Sequence, residues 1–87
     1  MNDLIFSPDA WKEYKAFESE DRKTLRKINS LIDSIQREGL LDGIGKPEKM
    51  KNDPGYSRRI DEKNRLIYED WNGVLRILSC KGHYQDS

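Results

Sequence analysis

Apolar residues in this chain change their spacing once, and that change limits the folds open to it. Leu25, Ile28, Leu31, Ile32 and Ile35 recur at three- and four-residue steps, the spacing of one buried helical face, while Arg22, Lys23, Arg26 and Lys27 fall on the other side. Upstream, Ala10, Trp11, Tyr14 and Phe17 form a second helical stripe. After Tyr56 the helical spacing is gone. Tyr56-Ser57-Arg58-Arg59-Ile60, Arg65-Leu66-Ile67-Tyr68-Glu69 and Val74 to Cys80 read as strands, and Asn72-Gly73 is a strong two-residue hairpin signal. Helices that precede a run of strands make an α+β domain, not an alternating α/β one.

The element boundaries carry their own chemistry. Leu4-Ile5-Phe6 is a short first strand. In Ser7-Pro8-Asp9 the serine caps free N–H groups, the proline fits the first turn and the aspartate suits the positive helix end, predicting a helix to about Glu18. Ser19-Glu20-Asp21 starts a second helix, with Arg37 in its last turn and Gly39 as a left-handed cap. Helices joined this tightly form an antiparallel hairpin. Leu40 to Pro54 reads as a loop of about fifteen residues, a length that tends to be functional. The expected architecture is a single domain, residues 1–87, in the order β-α-α-β-β-β: an antiparallel sheet with a helical hairpin on one face and Val74–Cys80 at the sheet centre.

Composition excludes several functions. The net charge is zero, which gives no global case for nucleic-acid binding, but residues 46–65 carry seven basic and four acidic side chains. A local basic stripe can bind a polyanion where the total charge cannot. His83 and Cys80 are the only histidine and cysteine, too few for a zinc site, and no cofactor is expected. The lone cysteine fits a reducing cytoplasm, and neither a signal peptide nor a membrane span is expected. Gly43-x-Gly45 leads into Lys46-Pro47, not into a helix, so it is not a nucleotide-binding loop.

One constellation remains. Arg58, Arg59 and Arg65 lie on the strands, the loop brings Glu48 among Lys46, Lys49 and Lys51, and the last strand leads to His83 and Tyr84. RNA is cut without a metal when its 2′-hydroxyl attacks the adjacent phosphorus. That step needs a base, an acid for the departing 5′-oxygen and cations for the phosphate. A carboxylate, an imidazolium and guanidiniums fill those roles, and Tyr84 can stack on a base. On composition alone the bland readings stand beside this one. Glu48 can make surface ion pairs with its lysines, Arg58 and Arg59 can be solvated strand positions pointing opposite ways, and Arg65 can pair with Asp61.

Nearly the whole chain resembles the Txe/YoeB family of bacterial toxin–antitoxin toxins, within the RelE-like fold. The residues that carry the resemblance are Trp11-Lys12-Glu13-Tyr14, Lys27-Ile28-Asn29, Leu31-Ile32, Gly45-Lys46-Pro47-Glu48, Tyr56-Ser57-Arg58-Arg59-Ile60, Arg65-Leu66-Ile67-Tyr68 and His83-Tyr84. The resemblance implies a ribosome-dependent mRNA endonuclease (an mRNA interferase) that cuts codons in the ribosomal A site and inhibits translation. It puts the general base at Glu48, the phosphate-stabilising arginine at Arg65, the general acid at His83 and an aromatic partner at Tyr84. Arg59 and Lys51 become substrate contacts, and Lys46, Lys49 and Arg58 complete the expected RNA-binding set. The implied partners are a cognate antitoxin whose C-terminal segment covers the site, the ribosome with its mRNA, a second copy in a homodimer, and operator DNA through the antitoxin complex.

The chain departs from the family pattern in three places. Lys49 stands where proline is usual, which is expected to loosen the loop. Lys63-Asn64 replace a glutamate and a histidine before Arg65. Gln85-Asp86-Ser87 follow Tyr84, so the tyrosine carboxylate is a peptide bond. The loop and turn departures motivate an alternative, a catalytically weak or inactive member that serves as an antitoxin-binding module and operon co-repressor. A general RNA-binding domain is a third reading, and zero net charge argues against it.

Overall fold

Ser7 begins the first helix as its sequence predicts, and it also ties that helix to the sheet. In the computed structural model, which describes residues 2–82, its Oγ accepts from the Ala10 N–H at 3.1 Å and donates to the Leu78 carbonyl at 3.1 Å. Helix α1 spans Pro8–Glu20 and helix α2 spans Arg22–Glu38. One residue separates them. The Asp21 N–H closes α1 on the Phe17 carbonyl at 2.8 Å, and its carboxylate caps α2 through the Thr24 N–H at 3.1 Å and hydroxyl at 2.7 Å. The first helix therefore runs slightly past its expected end, because one aspartate both stops it and starts the next. Gly39 ends α2 at φ +106°, a conformation that favours glycine, with its N–H on the Ile35 carbonyl.

Five strands occur among the described residues: β1 (Leu4–Phe6), β2 (Glu48–Lys49), β3 (Tyr56–Arg59), β4 (Arg65–Trp71) and β5 (Val74–Ser79), in the sheet order β1-β5-β4-β3-β2. The expected purely antiparallel sheet is corrected to a mixed one, since β1 pairs parallel to β5 with Leu4 opposite Leu75 and Phe6 opposite Ile77. Ser7 explains the direction. Its N–H donates to the Ile77 carbonyl at 2.9 Å and its hydroxyl to the Leu78 carbonyl, so the strand must run toward the same end of β5 at which α1 begins. β5 is interior but not central. The centre is β4, which buries Leu66 and Tyr68 on one face and Ile67 on the other. The expected loop is also interrupted, because Glu48 and Lys49 add a short edge strand to β3.

The helices cover one face of the sheet. Ile28, Leu31, Ile32 and Ile35 of α2 and Ala10 of α1 pack with Leu66, Tyr68, Leu75, Ile77 and Cys80. Each fully buried large aliphatic side chain stabilises the fold by about 1.5–3 kcal/mol. Among the described residues no helix covers the opposite face of the sheet, and its side chains include those of the candidate site.

Candidate functional site

Strand register decides which charges share the open face. Arg59 stands directly opposite Arg65, Arg58 opposite Leu66, Ser57 opposite Ile67 and Tyr56 opposite Tyr68. Side chains alternate along a strand, so Arg59 and Arg65 share the open face while Arg58 and Leu66 turn toward the helices. Glu48 pairs with Ser57, which sets the glutamate on the edge strand on the same face as the two arginines. Glu48 and Arg59 are exposed and Arg65 is half-buried. Two opposed guanidiniums with a carboxylate on the neighbouring edge are groups that can attract an anion and accept a proton on one face.

Arg58 is withdrawn from the RNA-binding set. It is 0% exposed. Its Nε donates to the Tyr68 hydroxyl at 2.9 Å, Nη1 to Ser34 Oγ at 3.0 Å and the Ile44 carbonyl at 2.8 Å, and Nη2 to the carbonyls of Gly39 at 2.8 Å and Asp42 at 2.6 Å. All five N–H donors of the guanidinium are thereby used. Tyr68 passes its own proton to the Leu40 carbonyl at 2.6 Å. The buried charge is held by main-chain carbonyls at and beyond the C-terminus of α2, where the helix dipole is negative. Arg58 thus folds residues 39–44 over the core, and the Arg59 N–H on the Gly45 carbonyl at 2.7 Å continues the attachment toward Glu48.

The loop lysines differ. Lys46 is exposed at φ +51°, between Gly45 at φ +87° and Pro47, and Lys51 is exposed. Lys49 is engaged. Its Nζ donates to the carbonyls of Met50 at 3.4 Å and Asp53 at 3.0 Å and lies 5.3 Å from the centre of the Tyr56 ring. The lysine closes residues 49–53 by hydrogen bonds where a proline would stiffen them by its ring.

The turn between β3 and β4 is built around Asp61. Its Oδ1 accepts from the N–H groups of Lys63 at 2.8 Å and Asn64 at 2.7 Å, and its Oδ2 from Asn64 Nδ2 at 3.1 Å. Burial opposes ionisation of this carboxyl, but the donors of Lys63 and Asn64 outweigh it and hold the pKa below 3.8. Arg65 Nη1 donates to the Asp61 main-chain oxygen at 2.9 Å, which restrains the guanidinium on its face. His83 and Tyr84 lie outside the described residues. The chain leading to them is described as far as Gly82, whose N–H donates to Asn64 Oδ1 at 2.9 Å and whose carbonyl accepts from the Arg65 N–H at 3.0 Å.

The sequence marked Asn64 only as a departure from the family pattern and gave no role to Tyr68 or to Glu13, which accepts from the Cys80 N–H at 2.8 Å. Nor did it find the recess of about 340 Å³ on the open face, where Met50, Pro54, Gly55, Ile67 and Leu78 give an apolar lining and Asp53 and Glu69 the polar rim. None of these has a local motif, since each depends on contacts between distant segments. Among the described residues, no group of three or more His, Cys, Asp or Glu side chains could hold a metal ion, and no helix is long and apolar enough to cross a membrane.

Comparison with known proteins meets this geometry from outside. A family described as the YoeB-like toxin of bacterial type II toxin–antitoxin systems matches residues 6–84. The chain is 45% identical to toxin YoeB of Synechocystis sp. over 84 residues, covering 94% of this chain and 96% of that protein. Among solved structures it is similar to the toxin in a heterotetrameric YoeB–YefM toxin–antitoxin complex from Staphylococcus aureus, with a TM-score of 0.87 and 48% identity over 94% of this chain and 97% of the other. A YoeB dimer from the same organism superposes with a TM-score of 0.88 at 48% identity, over 94% of this chain and 97% of that one.

Proposed function

The chain belongs to the YoeB-like toxins of bacterial type II toxin–antitoxin systems, and from that premise we propose that it is a ribosome-dependent mRNA endonuclease that cleaves by general acid–base catalysis. Glu48 takes the proton from a 2′-hydroxyl, and the freed oxygen attacks the adjacent phosphorus. Arg65 and Arg59 neutralise the extra negative charge of the five-coordinate phosphate. His83 gives its proton to the departing 5′-oxygen, and Tyr84 sets the geometry. The products are a 2′,3′-cyclic phosphate and a 5′-hydroxyl, so no water is consumed in the step. Lys46 and Lys51 attract the RNA backbone, and Lys49 acts by holding the loop.

The observation that supports this reading most is the register that sets Arg59 opposite Arg65 on the same face as Glu48. DNA lacks the attacking hydroxyl, so the chemistry is specific for RNA. Positioning of the scissile phosphate by the ribosome would supply much of the acceleration, which makes the free protein a poor nuclease and the cytoplasm its place of action. The S. aureus toxin is solved in complex with YefM and as a dimer. By that likeness a cognate antitoxin covers the open face with its C-terminal segment, a second copy forms a homodimer, and operator DNA is bound only through the antitoxin complex.

The test is cleavage of mRNA on translating ribosomes by the parent, Glu48→Gln and His83→Gln. Both variants should lose activity by at least about a hundredfold, as expected when a general acid or base is removed. Parental cleavage by His83→Gln, or growth arrest as strong as the parent's when it is induced without antitoxin, would overturn the assignment.

A further inference from the structure

We propose that Asn64 is a positioning residue that fixes Gly82, the residue bonded to His83 in the sequence, beside the phosphate-binding arginine, an inference that rests on the acid–base reading above. The side-chain amide of Asn64 is used at both ends. Its Nδ2 donates to Asp61 Oδ2 at 3.1 Å, and its Oδ1 accepts from the Gly82 N–H at 2.9 Å. The next residue, Arg65, donates its own N–H to the Gly82 carbonyl at 3.0 Å. Both main-chain polar groups of Gly82 are therefore bound by two consecutive residues, and one of these is the arginine that faces Arg59. Gly82 is bonded directly to His83 in the sequence.

Position 64 must offer a donor to a carboxylate and an acceptor to a backbone N–H at once, and asparagine does both with the two polar atoms of one amide. An aspartate would keep the acceptor for Gly82 but set a second carboxylate against Asp61. An alanine would lose both bonds. Gly82 adopts φ +93°, and a Cβ built on it would meet nothing within 4 Å. The bonds the described residues make to Gly82 are the hydrogen bonds with Asn64 and Arg65, and its positive φ is a conformation that favours glycine. A second anchor lies two residues upstream, where Glu13 of α1 accepts from the Cys80 N–H at 2.8 Å and from the Ser79 hydroxyl at 3.2 Å. Loss of Asn64 would leave β5 in place and free the main chain at Gly82.

The experiment combines two readouts on Asn64→Ala, His83→Gln and the double variant. In amide hydrogen exchange, Gly82 in Asn64→Ala should exchange about tenfold faster than in the parent, while the core amides of Leu66 and Ile77 stay unchanged. In cleavage on ribosomes, Asn64→Ala should lower kcat by about tenfold or more with KM unchanged, and adding His83→Gln to it should cost far less than it does in the parent, because a misplaced acid has little left to lose. Asn64→Asp should retain the Gly82 protection better than Asn64→Ala. If Gly82 exchange does not change, or if the two substitutions multiply as independent losses, Asn64 does not position the acid. If His83→Gln alone cleaves like the parent, the acid–base reading itself fails, and the positioning role falls with it.

Discussion

Arg59 and Arg65 face each other directly across the β3–β4 ladder, on the sheet face opposite the two helices. Like charges opposed on an antiparallel pair are unfavourable by about 0.2–1 kcal/mol, and the fold keeps them where a phosphate would relieve the repulsion. At low salt Arg59→Gln is therefore expected to leave thermal stability equal to or slightly above the parent's, while ribosome-dependent cleavage falls at least about tenfold. Melting curves at low and high salt, alongside the cleavage assay, check both halves. A clear loss of stability at low salt would mean that Arg59 is there to hold the sheet.

Arg58, one residue earlier, should behave in the opposite way. Its five hydrogen bonds hold Tyr68, Ser34 and the carbonyls of Gly39, Asp42 and Ile44, so Arg58→Met removes all five at once, two of them fully buried. The expected cost is about 3–5 kcal/mol, a large part of the stability of a domain this small. Tyr68→Phe removes only the bonds to Arg58 Nε and the Leu40 carbonyl and should cost about 1–3 kcal/mol. Urea unfolding measures both. Near-neutral effects would show that the guanidinium does not hold the loop.

The contrast between these neighbours marks what the sequence could say. Period-two alternation required Arg58 and Arg59 to point opposite ways, but nothing local told which one turned inward. That was settled by Gly39 and the residues after it, whose carbonyls turn toward a cation from a strand far along the chain. The helix starts at Ser7 and Asp21 were legible because a cap acts within about four residues. The parallel pairing of β1 was not, because it depends on Ser7 reaching carbonyls of β5. Of the candidate site, Glu48 and the two facing arginines follow from strand alternation once the register is known. Asn64 stood out only as a turn residue that departs from the family pattern, with nothing local to show that it reaches Gly82.

Acid should act on the β3–β4 turn. The Asp61 carboxyl is held below 3.8 by the donors of Lys63 and Asn64 against an opposing burial effect. A carboxyl whose folded pKa is depressed contributes stability above its unfolded pKa and loses it as pH falls through the folded one. Asp61→Asn should therefore flatten the fall in stability below about pH 4 and lower stability at pH 7. Chemical unfolding at several pH values from 3 to 7 checks this. An unchanged acid limb in the variant would show that the turn does not depend on the charge.

Cys80 should be inert while the fold is intact. Burial is the main reason its thiol is pushed up to about 12, and the nearby Glu13 carboxylate adds to the shift. The thiolate is the reactive form, so at pH 8 both its small population and its burial between α1 and β5 oppose attack. Alkylation by iodoacetamide is expected to follow the rate of unfolding, not the reagent concentration, once the reagent is in excess. Raising the pH through 9 toward 12 should also destabilise the chain, because the unfolded thiol ionises first and the folded one keeps its proton. The glutamate provides the control. In Glu13→Gln the charge against the sulfur is gone and the Cys80 N–H keeps an acceptor, so the alkaline loss of stability should shrink without exposing the thiol. Labelling that runs faster than unfolding in the parent would mean that the end of β5 opens on its own, and that the anchor at Glu13 is weaker than its 2.8 Å hydrogen bond indicates.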